Sequence, residues 1–137
     1  MPEPKPLAVI LGSGDHRHLH AFVSLTATSA ASGRRVHVLL THEALHTFLM
    51  DGMDDAPSGY TTSYTAFYDR GREEGRVPNL EELLAEARKT GKVRVYGCSA
   101  SIALRQGYAE EELEKLDGIV GHTTFLRWAL DWQLLYL

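Results

Sequence analysis

The sequence predicts an α/β protein, a three-layer sandwich in which a five-stranded, mainly parallel sheet is flanked by helices. Three observations carry this expectation. Short β-branched or apolar runs alternate with segments of helical periodicity along the chain. The first run, Leu7-Ala8-Val9-Ile10-Leu11, is apolar throughout, as suits a strand buried on both faces of a parallel sheet. With 137 residues the chain has the size of one domain that can bury a core without disulfides or metals.

Residues 1–6, with prolines at 2, 4 and 6, read as a flexible tail, and residues 7–137 as one domain. Gly12-Ser13-Gly14-Asp15 follows the first strand as a glycine turn whose free amides can cradle an anion, with Asp15 placed to cap the next helix. Neither the dinucleotide fingerprint nor a Walker A sequence is completed there, so a plain tight turn is the competing reading. A helix over His16–Ala31 carries Leu19, Phe22, Val23, Thr26, Ala27 and Ala30 on one face, and Gly33 ends it. Val36–Leu40 is the second strand.

After it comes His42-Glu43-Ala44-Leu45-His46, which matches the zinc-protease string HExxH. No third ligand follows at a familiar spacing, and the alternative is a helix start that lies on the surface or lines a pocket. Of His16, His18 and His20, only the first and last share a helix face.

From 51 to 78 the periodicity breaks down into Gly, Pro and Asp turns and a tyrosine-rich stretch, Tyr60, Tyr64, Phe67 and Tyr68. This insertion reads either as a flap with aromatic anchors such as Tyr64, or as a segment packed on the sheet edge. Asn79 caps a helix over Leu80–Lys89, with acids early and bases late. Val93–Cys98 is the third strand. A helix through Ile102, Ala103 and Leu104 to Gly107 follows, then a short one over 110–116 and a fourth strand over 118–121 leading to His122. Thr123 or Thr124 caps a last helix over 125–131, Trp128 and Trp132 cover the sheet, and residues 133–137 form the fifth strand.

Composition narrows the function. A net charge of −4 and a pI near 5.9, with basic residues scattered, argue against a nucleic-acid partner. No apolar run approaches the roughly 20 residues that span a bilayer, and the first residues lack a secretory pattern, so the cytoplasm is expected and no membrane association. The single cysteine excludes an internal disulfide and an intramolecular dithiol cycle.

In an open α/β sheet, ligands bind beyond the carboxyl ends of the strands. Gly12, His42, Cys98 and His122 all fall at that edge. A thiol that ends a strand and begins a helix sits at the positive end of the helix dipole, a place for a nucleophile, although a lone cysteine is also a common inert core residue. The small neighbours Gly97, Ser99, Ala100 and Ser101 leave the sulfur room and supply polar groups, and a lone thiol can hold and pass on sulfane sulfur as a persulfide. Gly12, Ser13, Gly14, Ser99, Ser101 and Tyr64 are the candidate binding residues. His122 and His42 are candidate proton partners of Cys98.

The residues 79–91, then Val93-Arg94-Val95-Tyr96-Gly97-Cys98-Ser99-Ala100-Ser101, Gly107-Tyr108, Glu111-Glu112-Leu113, Asp117-Gly118-Ile119-Val120-Gly121 and Thr124-Phe125-Leu126 resemble the DsrE/DsrF-like sulfur-relay family. The resemblance implies an α/β sandwich, trimers or hexamers, and persulfide relay through Cys98 between sulfur donor and acceptor proteins, with no cofactor. The middle insertion departs from the methionine-rich one of larger members, and His42 and His122 match no motif of the family.

Overall fold

The computed structural model describes residues 4–54, 59–104 and 108–137. Residues 1–3 of the expected tail, Pro57 and Ser58 of the insertion, and Gly107 lie outside the described residues. The strands are β1 (Leu7–Leu11), β2 (Val36–Leu40), β3 (Val93–Cys98), β4 (Gly118–Val120) and β5 (Gln133–Tyr136), in the order β4-β3-β2-β1-β5 with every pairing parallel. The helices are α1 (His16–Ala31), α2 (His42–His46), α3 (Thr62–Glu73), α4 (Leu80–Lys89), α5 (Ser99–Leu104), α6 (Glu110–Leu113) and α7 (His122–Trp128). A π-helical turn, Thr47–Asp51, continues α2.

Strand order explains how the helices divide. The steps β1 to β2 to β3 to β4 run in one direction across the sheet, and the step β4 to β5 returns past all of them. Right-handed crossovers in opposite directions place their helices on opposite faces. Alternation along the strands then sorts the side chains. Leu7, Val9 and Leu11 of β1, with Val38 and Val95, pack against Phe22 and Val23 of α1 and Leu80 and Leu84 of α4. Ala8, Ile10, Leu39 and Cys98 point the other way, against Phe125 of α7 and Ala129 at its C-terminal cap.

The second face is thinly covered. The return from β4 to β5 crosses four strand spacings, about 19 Å, whereas the seven residues of α7 make a helix about 10 Å long. Trp132 therefore shares the work, its ring 4.6 Å from that of His37 on β2, while Trp128 lies 5.3 Å from Tyr96 and stays half exposed. Leu134 and Tyr136, in register with Ala8 and Ile10, remain exposed on this face.

Two expectations need correction. The insertion 51–78 is not irregular throughout: α3 spans Thr62–Glu73, begun by Thr61, whose hydroxyl accepts the Tyr64 amide at 3.4 Å. Its helical signal lies in the aromatics Tyr60, Tyr64, Phe67 and Tyr68, spaced four, three and one apart, yet it buries only Tyr68 and Gly71, so no apolar stripe announces it. The last helix starts at His122 with Gly121 as its cap, earlier than a threonine cap would place it, and Asp131 lies beyond its end.

The start of α4 is held from outside. Asn79 Oδ1 accepts the Glu82 amide at 2.9 Å, as expected, and the Asp54 carboxylate accepts those of Leu80 at 2.7 Å and Glu81 at 2.9 Å. Three of the amides that a helix start leaves without partners are thus satisfied. Asp54→Ala is expected to lower stability by about 1–2 kcal/mol, read from the shift in urea unfolding midpoint. A change within error would mean that water replaces the carboxylate without cost.

Candidate functional site

The carboxyl edge of the sheet gathers the expected residues and then separates them by face. Cys98 ends β3 with its side chain on the α7 side, and only 1% of the residue is exposed. β4 runs parallel beside it, with Val120 in register with Cys98, so Gly121 and His122 leave the sheet next to the thiol. His122 is exposed, and its Nδ1 lies 3.7 Å from Cys98 Sγ, within hydrogen-bond reach for sulfur. A Cβ on Gly121 would stand 3.4 Å from Ser99 Oγ, so Ser99 belongs to this neighbourhood. With the imidazole proton on Nε2, Nδ1 is the ring nitrogen that faces the thiol as an acceptor.

His42 is elsewhere. Together with Gly14 and Ser101 it lines a cavity of about 640 Å³ whose walls also include Asp15, Glu43, His46, Asp51 and Tyr108, and Cys98 does not line it. The structure thus places His42 at this cavity, whereas the imidazole in contact with the thiol is that of His122. Ser101, buried, accepts the His42 backbone N–H at 3.0 Å. His42 holds φ at +47°, a left-handed conformation that costs a non-glycine residue on the order of 1 kcal/mol. The bond to Ser101 helps hold it there.

The glycine turn is occupied by the chain itself. Gly12 N–H donates to Leu137 O at 3.0 Å, and Asp15 N–H to Ser13 Oγ at 3.2 Å, so these two amides are not free to cradle an anion. Asp15 takes the cap position of α1 without a side-chain capping bond. Gly14 is required by packing, since a Cβ there would stand 2.8 Å from Thr47 Oγ1 and 3.0 Å from Glu43 O.

The HExxH histidines are one helical turn apart, but one nitrogen of His46 is within hydrogen-bond distance of a tyrosine and the other faces a carboxylate. Nδ1 lies 3.2 Å from Tyr108 Oη, and Nε2 lies 3.9 Å from Asp51 Oδ2. Among the described residues no three His, Cys, Asp or Glu side chains are grouped to hold a metal ion.

Two contributions escaped the sequence reading. His46, Asp51 and Tyr108 enter the cavity wall, although a helix start lining a pocket was one reading of the HExxH string. His16, buried at the start of α1, lies between Tyr60 and Tyr68, with its Nδ1 3.2 Å from one hydroxyl and its Nε2 3.3 Å from the other. These tyrosines fix α3 to α1, whereas Tyr64 is exposed, its ring tilted against that of Tyr60 with centroids 5.0 Å apart. The bonding partners are 44 and 52 residues apart, beyond the reach of local pattern.

Burial, reinforced by His20, lowers the His16 pKa, and burial with Arg35 and Arg94 lowers that of His37. Burial also pushes the Tyr68 hydroxyl up to about 12, with Tyr60 adding to it. Both histidines thus bind protons less readily folded than unfolded. Stability is expected to fall as pH drops below the unfolded value of about 6.5, and to be insensitive to these groups above it. Urea unfolding at about pH 7.5, 6.5 and 5.5, on both sides of that value, measures this. His16→Asn should flatten the slope, and an unchanged slope would remove His16 as a source.

No family model matches the chain, and no curated protein does. Among solved structures, the chain is similar to the protein of unknown function MTH1491 from Methanobacterium thermoautotrophicum, with a TM-score of 0.55 and 13% identity over 98% of this chain and 100% of that one. At that identity the likeness is one of fold: the chain shares the α/β architecture of that protein.

Proposed function

We propose that this protein is a DsrE-like sulfur carrier in which Cys98 holds a persulfide and His122 manages its proton. The observation that carries the reading is the 3.7 Å approach of His122 Nδ1 to Cys98 Sγ at the carboxyl edge of a parallel sheet. The sequence resemblance to the DsrE/DsrF-like family supports it independently.

The chemistry balances without a cofactor. Cys98 gives its proton to His122, and the thiolate attacks the outer sulfur of a donor persulfide, R–S–SH. A new S–S bond forms at Cys98, the donor S–S bond breaks, and the donor leaves as RS⁻. There is no net oxidation or reduction, and an acceptor thiolate repeats the exchange in the next step. Because Cys98 is buried, loading requires the α7 start around exposed His122 to yield to the donor. Donor and acceptor are thiol proteins in this reading, the cytoplasm suits a lone reduced thiol, and the carrier works as a homo-oligomer. Among the described residues no helix is long and apolar enough to cross a membrane.

Mass spectrometry of the protein after incubation with a low-molecular-weight persulfide tests this directly. The expected product gains one sulfur atom, reversed by a reductant and mapped to the peptide containing Cys98. Protein that gains no sulfur under conditions that load a free thiol peptide is not a carrier. A second reading is favoured by the 1% exposure of Cys98 within an apolar layer: a non-catalytic DsrE-like protein that binds a ligand or partner and keeps the cysteine as packing. Full function of Cys98→Ser in cells would select it.

A further inference from the structure

The sheet face that carries α7 leaves one flank apolar and open. Phe125 points into the sheet, and Trp128, three residues on, leans towards β3, its ring 5.3 Å from that of Tyr96. Leu126, one residue past Phe125, therefore turns about 100° the other way, towards β1 and β5. Leu130 follows four residues later, just past the Ala129 cap. β5 is the edge strand beside β1, and on it Leu134 and Tyr136 share the face of Ala8 and Ile10. These four apolar residues are between 41% and 79% exposed.

We infer that this flank of α7 and the adjoining face of β5 form a self-association surface, on which a second copy of the chain packs about a two-fold axis. At about 200 Å² for a large apolar side chain, the exposed parts of Leu126, Leu130, Leu134 and Tyr136 come to on the order of 500 Å². Homodimer interfaces are roughly 65% apolar, so such a patch belongs to an interface of about 750 Å² per protomer, close to the ~800 Å² of a stable complex. Charge selects the occupant. Arg127 and Asp131, each next to a leucine of the patch, are exposed and form no ion pair with another described residue. One cation and one anion on the same surface suit an isologous contact, in which Arg127 of one protomer faces Asp131 of its partner and the reverse. The inference deepens the homo-oligomer of the proposed function and rests on that clause of it alone, since association is measured without sulfur.

Sedimentation equilibrium of the intact 15.2 kDa chain across the micromolar range tests the assignment. The expected particle holds an even number of chains, and the Leu130→Glu, Tyr136→Glu double variant holds half that number. Both residues are the most exposed of the patch, so the variant should keep the circular dichroism spectrum of the parent. Leu104→Glu, at a leucine equally exposed on α5, should associate like the parent. Arg127→Asp should weaken association roughly tenfold or more, and adding Asp131→Arg should restore it. The assignment is overturned if the parent is a monomer or a trimer, if the double variant keeps the copy number of the parent, if Leu104→Glu dissociates as readily, or if the two charge reversals together associate no better than the first alone. A chain that associates in this way but gains no sulfur overturns the carrier reading and leaves this surface standing.

Discussion

Replacing Phe125 with alanine is expected to lower the unfolding free energy by about 3–5 kcal/mol and to expose the Cys98 thiol to reagents that the parent protein excludes. Phe125 is fully buried and, with Ala129, is how α7 grips the sheet. The opposite face has several helices whose contacts share the load, so a single truncation there is cushioned by its neighbours. On the α7 face no second helix contributes to the buried layer among the described residues. The loss combines the transfer energy of the ring with the cavity it leaves, against a total stability of about 5–15 kcal/mol for an ordinary domain. Cys98 belongs to the same layer, so the two effects are linked. Urea unfolding gives the first, and the rate of reaction with a chromogenic aromatic disulfide gives the second. If the variant reacts no faster than the parent, α7 is not what shields the sulfur.

Cys98→Ser is expected to abolish persulfide loading, and His122→Ala to slow it by roughly a hundredfold near neutral pH, the ordinary scale of a positioned proton acceptor. The two variants separate chemistry from packing. Serine in an apolar layer costs about 1–3 kcal/mol unless its hydroxyl finds a partner, so Cys98→Ser loses stability as well as sulfur. His122 is exposed, and its removal should leave the unfolding midpoint nearly unchanged. Loading rates measured across pH supply a readout that packing does not move. The pH–rate profile of the parent should differ in shape from that of His122→Ala. Equal rates in parent and His122→Ala at every pH would leave the 3.7 Å approach without a chemical role.

Much of the architecture was legible from local pattern. The uniformly apolar run of β1 and the β-branched run of β3 mark buried strands, and the stripe Leu19, Phe22, Val23 marks the core face of α1. Asn79 identifies the start of α4 because its side chain meets an amide only three residues on. Where the reading slipped, the deciding interaction was distant or weakly apolar. α3 has little hydrophobic surface and depends on Tyr60 and Tyr68 reaching His16. The start of α7 was misplaced because the residue at its cap is Gly121, which has no side chain to announce a cap.

The sequence by itself determined which residues reach the carboxyl edge of the sheet, because strand ends and turn residues are written in short-range periodicity. It placed Gly12, His42, Cys98 and His122 there together. Only the tertiary structure decided that His122 stands beside Cys98 while His42 lies at a separate cavity. Side chains alternate across a strand, and which of the two faces receives α7 depends on the direction of the β4-to-β5 return, set by sheet order and crossover handedness. That return brings His122 to Cys98 on one face, while α2 carries His42 into the cavity lined with Ser101.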